Sequence, residues 1–175
     1  HEDRACLAID KPAGWLCAPA DWDRTGRNLQ RAIEDGLRAG DRWARSRNLR
    51  FLRFVHRLDA DTSGVLLLAR SPGAVHAYSQ LFEQRRVLKE YLAVVGGKPP
   101  RRRWTCCLKV RPDPDHPGRV LTHASTGQHA ETRFSVLTHG DGVALVLATP
   151  LTGRTHQIRV HLAAAGLPIL GDRLY

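Results

Sequence analysis

Apolar residues alternate with polar ones along some stretches of this chain and recur at helical spacing along others, and the two periods mark out its elements. Cys6 to Ile9 is a short apolar segment stopped by Asp10-Lys11-Pro12-Ala13-Gly14, which predicts a strand and then a turn. From Asn28 to Leu37, residues Leu29, Ala32, Ile33 and Leu37 share one helical face, and Gly36 and Gly40 weaken the end of that helix. Val65 to Ala69 is a continuous apolar run between Thr62-Ser63-Gly64 and Arg70-Ser71-Pro72, and it reads as a strand buried on both faces. Ser71 and Pro72 form an N-cap and first-turn pair. Val75, Tyr78, Leu81 and Phe82 follow at helical spacing, predicting a helix to about Arg86.

In the second half, Lys89 to Val95 alternates so that Lys89, Tyr91, Ala93 and Val95 lie on one strand face. Gly96 to Arg103 is a breaker segment ending in three arginines, and Pro112 to Gly118 is a second polar loop; both are expected at the surface. Ala130, Thr132, Phe134 and Val136 alternate with polar residues, and Gly140-Asp141-Gly142 then turns the chain into Val143 to Thr149, which predicts an antiparallel hairpin. Thr155 to Ala165 has helical spacing, with Gly166 and Pro168 as its stop. Hairpin-linked strands with interspersed helices and no regular βα repeat argue for an α+β domain.

Composition narrows the class. The 175 residues are 42% hydrophobic and 25% charged, enough for one globular domain. Lys and Arg number 27 against 17 Asp and Glu, a formal charge of +10, which points to a polyanionic partner; nucleic acid is the simplest. An Arg-rich solvated surface or an acidic protein partner gives the same totals. The stretch from Arg42 to Arg57 carries arginines at 42, 45, 47, 50, 53 and 57 among Trp43, Leu49, Phe51, Leu52 and Phe54, a pattern that suits phosphate contact and a merely solvated amphipathic face equally. Cys6, Cys17, Cys106 and Cys107 make no CxxC pair, which leaves a reducing compartment as the default. Apolar runs fall far short of the ~20 residues of a membrane helix, and no secretory leader opens the sequence. A soluble, cytoplasmic protein, monomeric by default, is expected.

Two polar clusters carry candidate chemistry. His56-Arg57-Leu58-Asp59-Ala60-Asp61-Thr62-Ser63-Gly64 gathers carboxylates, a guanidinium and hydroxyls just ahead of a core strand, where loops commonly carry function. By itself this loop equally fits a carboxylate capping the Thr62-Ser63-Gly64 turn. Gly153-Arg154-Thr155-His156-Gln157-Ile158-Arg159-Val160-His161 lies at a strand-to-helix junction, a phosphate-binding arrangement or an ordinary helix start. His156 and His161 are five apart and face different ways, so a metal site is not expected. A hydrolase built on Ser63, His56 and Asp59 lacks the GxSxG elbow.

Together, His56-Arg57-Leu58-Asp59 with Thr62-Ser63-Gly64, Lys89-Glu90-Tyr91, and Gly153 through His161 resemble the RluA family of pseudouridine synthases. The resemblance extends to Asp10-Lys11-Pro12-Ala13-Gly14 and to Gly166-Leu167-Pro168-Ile169-Leu170-Gly171-Asp172, so it spans nearly the whole chain. It implies a mixed, mainly antiparallel sheet with flanking helices and a cofactor-free, metal-free isomerase that converts uridine to pseudouridine in rRNA or tRNA. A catalytically silent RNA-binding module of the same fold is the alternative. Family members usually continue with further core strands beyond the segment matching Gly171 to Tyr175, and many carry an N-terminal S4-type domain. Neither is visible here, and residues 1–175 are read as a single catalytic domain.

By the resemblance, Asp59 is the catalytic carboxylate, acting as nucleophile or base while uracil leaves C1′ and rejoins through C5. Arg159 matches the family's partner arginine, the cation that offsets the carboxylate's desolvation. Tyr91 matches the tyrosine whose ring stacks on the uracil and whose hydroxyl is a candidate for handling the C5 proton. Arg57 matches the residue that fills the gap left by a flipped-out uridine. Lys89, Arg154, His156 and Gln157 are expected to contact phosphate or shape the loop.

Overall fold

The computed structural model describes residues 1–19 and 25–175, which divide into two compact units, His1–Arg86 and Val87–Tyr175. In the first, β1 (Cys6–Lys11), β2 (Arg53–Phe54) and β3 (Gly64–Ala69) make a sheet of order β1-β3-β2. Both pairings are antiparallel, with Cys6 opposite Ala69 and Lys11 opposite Gly64. The central strand β3 is not buried on both faces as its apolar run suggests. Leu66 and Leu68 are inside on one face; on the other, Val65 is 66% exposed and only Ala69 is fully buried, so the second face is wet at the start of the strand and covered at its end.

Helix α1 (Leu29–Ala39) is capped by Asn28, whose Oδ1 accepts the Arg31 N–H at 3.0 Å, and closes on Gly40 in the left-handed region at φ 64°. A short helix α2 (Arg42–Arg45) follows, and Ala44, Leu49, Leu52 and Leu68 form the core beneath, with Ile33, Leu37 and Trp43 against it. Gly36 does not weaken α1; it makes room for the Trp43 indole. A Cβ there would lie 2.6 Å from Trp43 Cζ2 and 2.9 Å from Asp41 Oδ2. Gly36→Ala is therefore expected to lower stability by about 1–3 kcal/mol despite the better helix former, read as a lower urea midpoint at unchanged slope. Helix α3 (Pro72–Glu83) starts where Ser71 Oγ accepts the Ala74 N–H at 3.2 Å and stops short of Arg86, because Arg85 turns left-handed at φ 56°.

The second unit is built on the sheet β4-β9-β8-β5, from β4 (Tyr91–Gly96), β5 (Arg103–Cys106), β8 (Thr132–Gly140) and β9 (Val143–Pro150). The expected hairpin joins β8 to β9 through Asp141 (φ 52°) and Gly142 (φ 76°), two successive left-handed residues as a tight hairpin turn requires. Ala93, Val95, Phe134, Val136, Ala144, Val146 and Ala148 face one way and pack with Leu162 and Leu167. A second ribbon pairs β6 (Lys109–Pro112) with β7 (Val120–His123). The last helix, α4 (Gln157–Ala164), ends at Gly166 (φ 73°), with Leu167 N–H returning to Leu162 O at 3.0 Å. Every pairing between these strands is antiparallel, and helices flank them, the α+β class expected.

Candidate active site

Asp59 sits half-buried on the loop between β2 and β3, and the first unit holds that loop by its backbone. Lys11, fully buried, donates from Nζ to the carbonyls of Pro12 (2.9 Å), Trp15 (2.8 Å) and Ala60 (2.8 Å). Gly14 N–H reaches the same Ala60 oxygen at 2.9 Å, and Thr62 N–H closes a turn on Asp59 O at 3.2 Å. Behind the loop, the buried Cys17 thiol contacts both Leu58 O and Leu58 N at 3.4 Å. The Lys11 ammonium is pulled below the ordinary lysine range by burial, an effect opposed by Cys17, Asp61 and Asp59, so its charge bears on both carboxylates of the loop. None of this was visible in the sequence, where Lys11 reads as one residue of a turn.

Arg57 projects from the same loop with an exposed side chain. His56 turns away from hydrolase chemistry, since its Nε2 accepts the Leu67 N–H at 3.0 Å and its ring stacks on Phe82 with centroids 4.9 Å apart. That nitrogen is committed to the backbone and is not the base of a serine nucleophile.

The second unit carries the other named residues. Tyr91 begins β4 opposite Ala148 and packs against the core cluster. Lys89, two residues earlier, donates to Thr152 O at 3.0 Å. Arg154 Nε donates to His129 O at 3.0 Å, and His156 precedes α4 in the left-handed region at φ 50°. Gln157 is buried and uses its whole amide internally: Oε1 accepts from Thr152 Oγ1 (2.7 Å) and Arg154 N–H (3.0 Å), while Nε2 donates to Glu131 O (3.0 Å) and Thr132 Oγ1 (2.9 Å). Arg159 makes a two-pronged pair with Asp172, Nε to Oδ2 at 2.7 Å and Nη2 to Oδ1 at 2.8 Å. Burial alone would raise the Asp172 pKa, but the Arg159 hydrogen bonds, the Leu174 N–H and the arginine charge hold it below the ordinary carboxylate value.

His161 and His156 do not converge. His156 bonds Tyr175, whereas His161 is fully buried, with Nε2 2.9 Å from Leu108 O and Nδ1 3.0 Å from Thr132 Oγ1. Nε2 faces a carbonyl and carries a proton, and in the neutral ring Nδ1 accepts from the threonine. Burial lowers the His161 pKa below its ordinary 6.5. Protonation thus favours the unfolded chain: the stability this group contributes is complete above about pH 6.5 and declines as pH falls towards and through the folded pKa. A denaturation series from pH 7.5 to 5 should show that decline, and His161→Gln should flatten it.

Among the described residues, His1, Asp3 and Cys6 place metal-ligating atoms within 4.8 Å of one another. Asp3 Oδ1 is already engaged by the Ala5 and Cys6 N–H groups, both at 2.7 Å. No described helix is long and apolar enough to cross a membrane.

Comparison with known proteins bears on the two clusters together. The sequence pattern of the RNA pseudouridylate synthase family matches residues 5–164. Ribosomal large subunit pseudouridine synthase C of Haemophilus ducreyi is 35% identical over 181 aligned positions, covering 100% of this chain and 52% of that protein. The protein of the same name from Escherichia coli K12 is 36% identical with the same coverage. The chain thus spans about half the length of these curated relatives. Among solved structures, human RNA pseudouridylate synthase domain containing 1 superposes with a TM-score of 0.77 at 32% identity, over 100% of this chain and 67% of that one.

Proposed function

The chain belongs to the RNA pseudouridylate synthase family, and from that membership we propose that it isomerises uridine to pseudouridine in ribosomal RNA, in the cytoplasm, with Asp59 as the catalytic carboxylate. The observation that carries this reading is the Asp59 loop itself, a family-matched motif held through its backbone by a fully buried ammonium and a buried thiol. Such a frame presents a carboxylate at a defined place, as nucleophilic or base chemistry requires. Ribosomal RNA is preferred to transfer RNA because the relatives carry ribosomal names; the +10 charge suits either.

In this reading uracil is detached from C1′ on a uridine drawn out of its stack, rotated, and rejoined through C5; the C5 proton is released and N1, freed from C1′, takes up a proton in exchange. Asp59 acts as nucleophile or base. Tyr91 offers the uracil a flat apolar face and a phenol tip, and Arg159 supplies the cation that keeps a desolvated carboxylate ionised. Arg57, exposed, occupies the gap in the RNA helix. Lys89, Arg154 and His156 meet phosphate or hold the loop, and Gln157, with its amide committed inside the protein, holds the loop. The bond count is unchanged and no electron is exchanged, so neither redox cofactor nor metal is required.

The test is tritium release from RNA labelled at uridine C5. Release into solvent, with RNA length intact and insensitive to chelator, is the expected result. RNA binding without release supports the catalytically silent module instead, and strand cleavage would point to a nuclease.

A further inference from the structure

Two segments of the second unit, the start of β7 and the start of α4, meet at the half-buried Tyr175 phenol. Its oxygen accepts the Val120 N–H at 2.9 Å from β7 and lies 2.9 Å from His156 Nδ1, just before α4. Its ring lies beneath two guanidinium groups, with Arg159 Cζ 5.2 Å and Arg119 Cζ 5.6 Å from the centroid. Val120 N–H takes one lone pair of the phenol oxygen; with the phenol hydrogen directed to His156, Nδ1 is the acceptor and the ring proton sits on Nε2. Burial pushes the Tyr175 pKa up against the lowering by Val120 N–H and the two arginines, so the O–H is retained.

We propose that Tyr175 is a positioning residue for the isomerisation, orienting the Arg159 guanidinium from its face and setting the His156 tautomer from its hydroxyl. This rests on the function proposed above, in which Arg159 takes part. Asp172 grips one edge of the Arg159 guanidinium through two short hydrogen bonds, and the aromatic ring supports its plane. An edge contact alone leaves the plane free to tilt about that edge; the ring limits the tilt. His156 supplies the second, independent observation. It holds a left-handed backbone at φ 50°, a conformation that non-glycine residues adopt at a cost and that clusters at functional sites. The Tyr175 hydroxyl bonds its ring there. The same hydroxyl takes the Val120 N–H of the β6–β7 ribbon, so the orientation of this segment is tied to the ribbon that carries Lys109, Arg111 and Arg119.

Two substitutions separate the roles. Tyr175→Phe keeps the ring beneath the arginines and removes the hydroxyl, whereas Tyr175→Leu removes both. In the full chain, the single-turnover rate at saturating RNA is expected to fall about tenfold for Tyr175→Phe and about a hundredfold for Tyr175→Leu, with RNA affinity within about twofold of the parent. Imidazole ¹H–¹⁵N spectra read the His156 tautomer independently of turnover: protonated Nε2 in the parent and a tautomer mixture in Tyr175→Phe. A shifted tautomer with an unchanged rate overturns the proposal, as does weakened RNA binding at an unchanged rate. If Tyr175→Leu fails to fold, Tyr175→Phe decides alone. Turnover that survives Asp59→Asn brings down the underlying functional reading instead, a result the tyrosine variants cannot mimic.

Discussion

Asp59→Asn is expected to reduce tritium release from C5-labelled RNA by at least about 10⁴-fold while leaving RNA affinity and thermal midpoint close to those of the parent. The substitution is nearly isosteric, and the bonds that frame the loop run to the backbone: Lys11 to Ala60 O, Cys17 to both polar groups of Leu58, and Thr62 N–H to Asp59 O. An amide leaves these in place. It removes the negative charge and the nucleophilic oxygen, so the loss falls on the chemical step. The silent RNA-binding reading predicts the opposite, an Asp59→Asn protein identical to its parent in every measurement. Release that persists would move the chemistry to another group, and binding lost together with turnover would make Asp59 a structural residue.

Long periodic segments were readable because a regular period needs only local information. The α1 face and the Ser71-Pro72 start of α3 were placed to within a few residues. The β8–β9 hairpin followed from alternation around Gly140-Asp141-Gly142. What was missed depends on partners distant in sequence. Strands β5, β6 and β7 are four residues each with polar residues in every one, such as Lys109-Val110-Arg111-Pro112, and only pairing with a neighbour makes them strands. The Val65–Ala69 run was apolar enough for a doubly buried strand, yet the structure leaves Val65 in solvent. Gly36 looked like a flaw in a helix until the Trp43 indole was found against it.

The same division holds for the site. Asp59, Tyr91 and Arg159 each lie within a contiguous motif and were nameable as candidates, whereas the groups that hold these residues were not. Lys11 meets Ala60 across 49 positions, Arg159 meets Asp172 across 13, and Tyr175 meets Val120 across 55. No period or motif encodes such distances. A lysine followed by Pro-Ala-Gly gives no local sign that its amine turns inward, because lysine is ordinarily exposed.

That inward lysine produces the second large effect expected. Lys11→Met should lower folding stability by about 3 kcal/mol, seen as a reduced urea midpoint, because three carbonyls lose the buried ammonium that serves them at once. Methionine fills much of the same volume, so cavity formation contributes little. The cost is the desolvation of Pro12, Trp15 and Ala60 oxygens left with fewer partners; Ala60 O keeps the Gly14 N–H, which bounds the damage at that position. Lys11→Arg tests the geometry, since a longer planar fork with the same charge does not match three carbonyls converging on one Nζ. If the ammonium serves mainly as a structural tie, both variants lose stability, and turnover measured well below their midpoints falls only as far as the Asp59 loop loosens. If its charge on Asp59 matters to the chemistry, turnover falls further in Lys11→Met than in Lys11→Arg at equal stability. Full stability in Lys11→Met would mean that water replaces the amine, and the loop's rigidity would then have to come from Cys17 and the Thr62 turn.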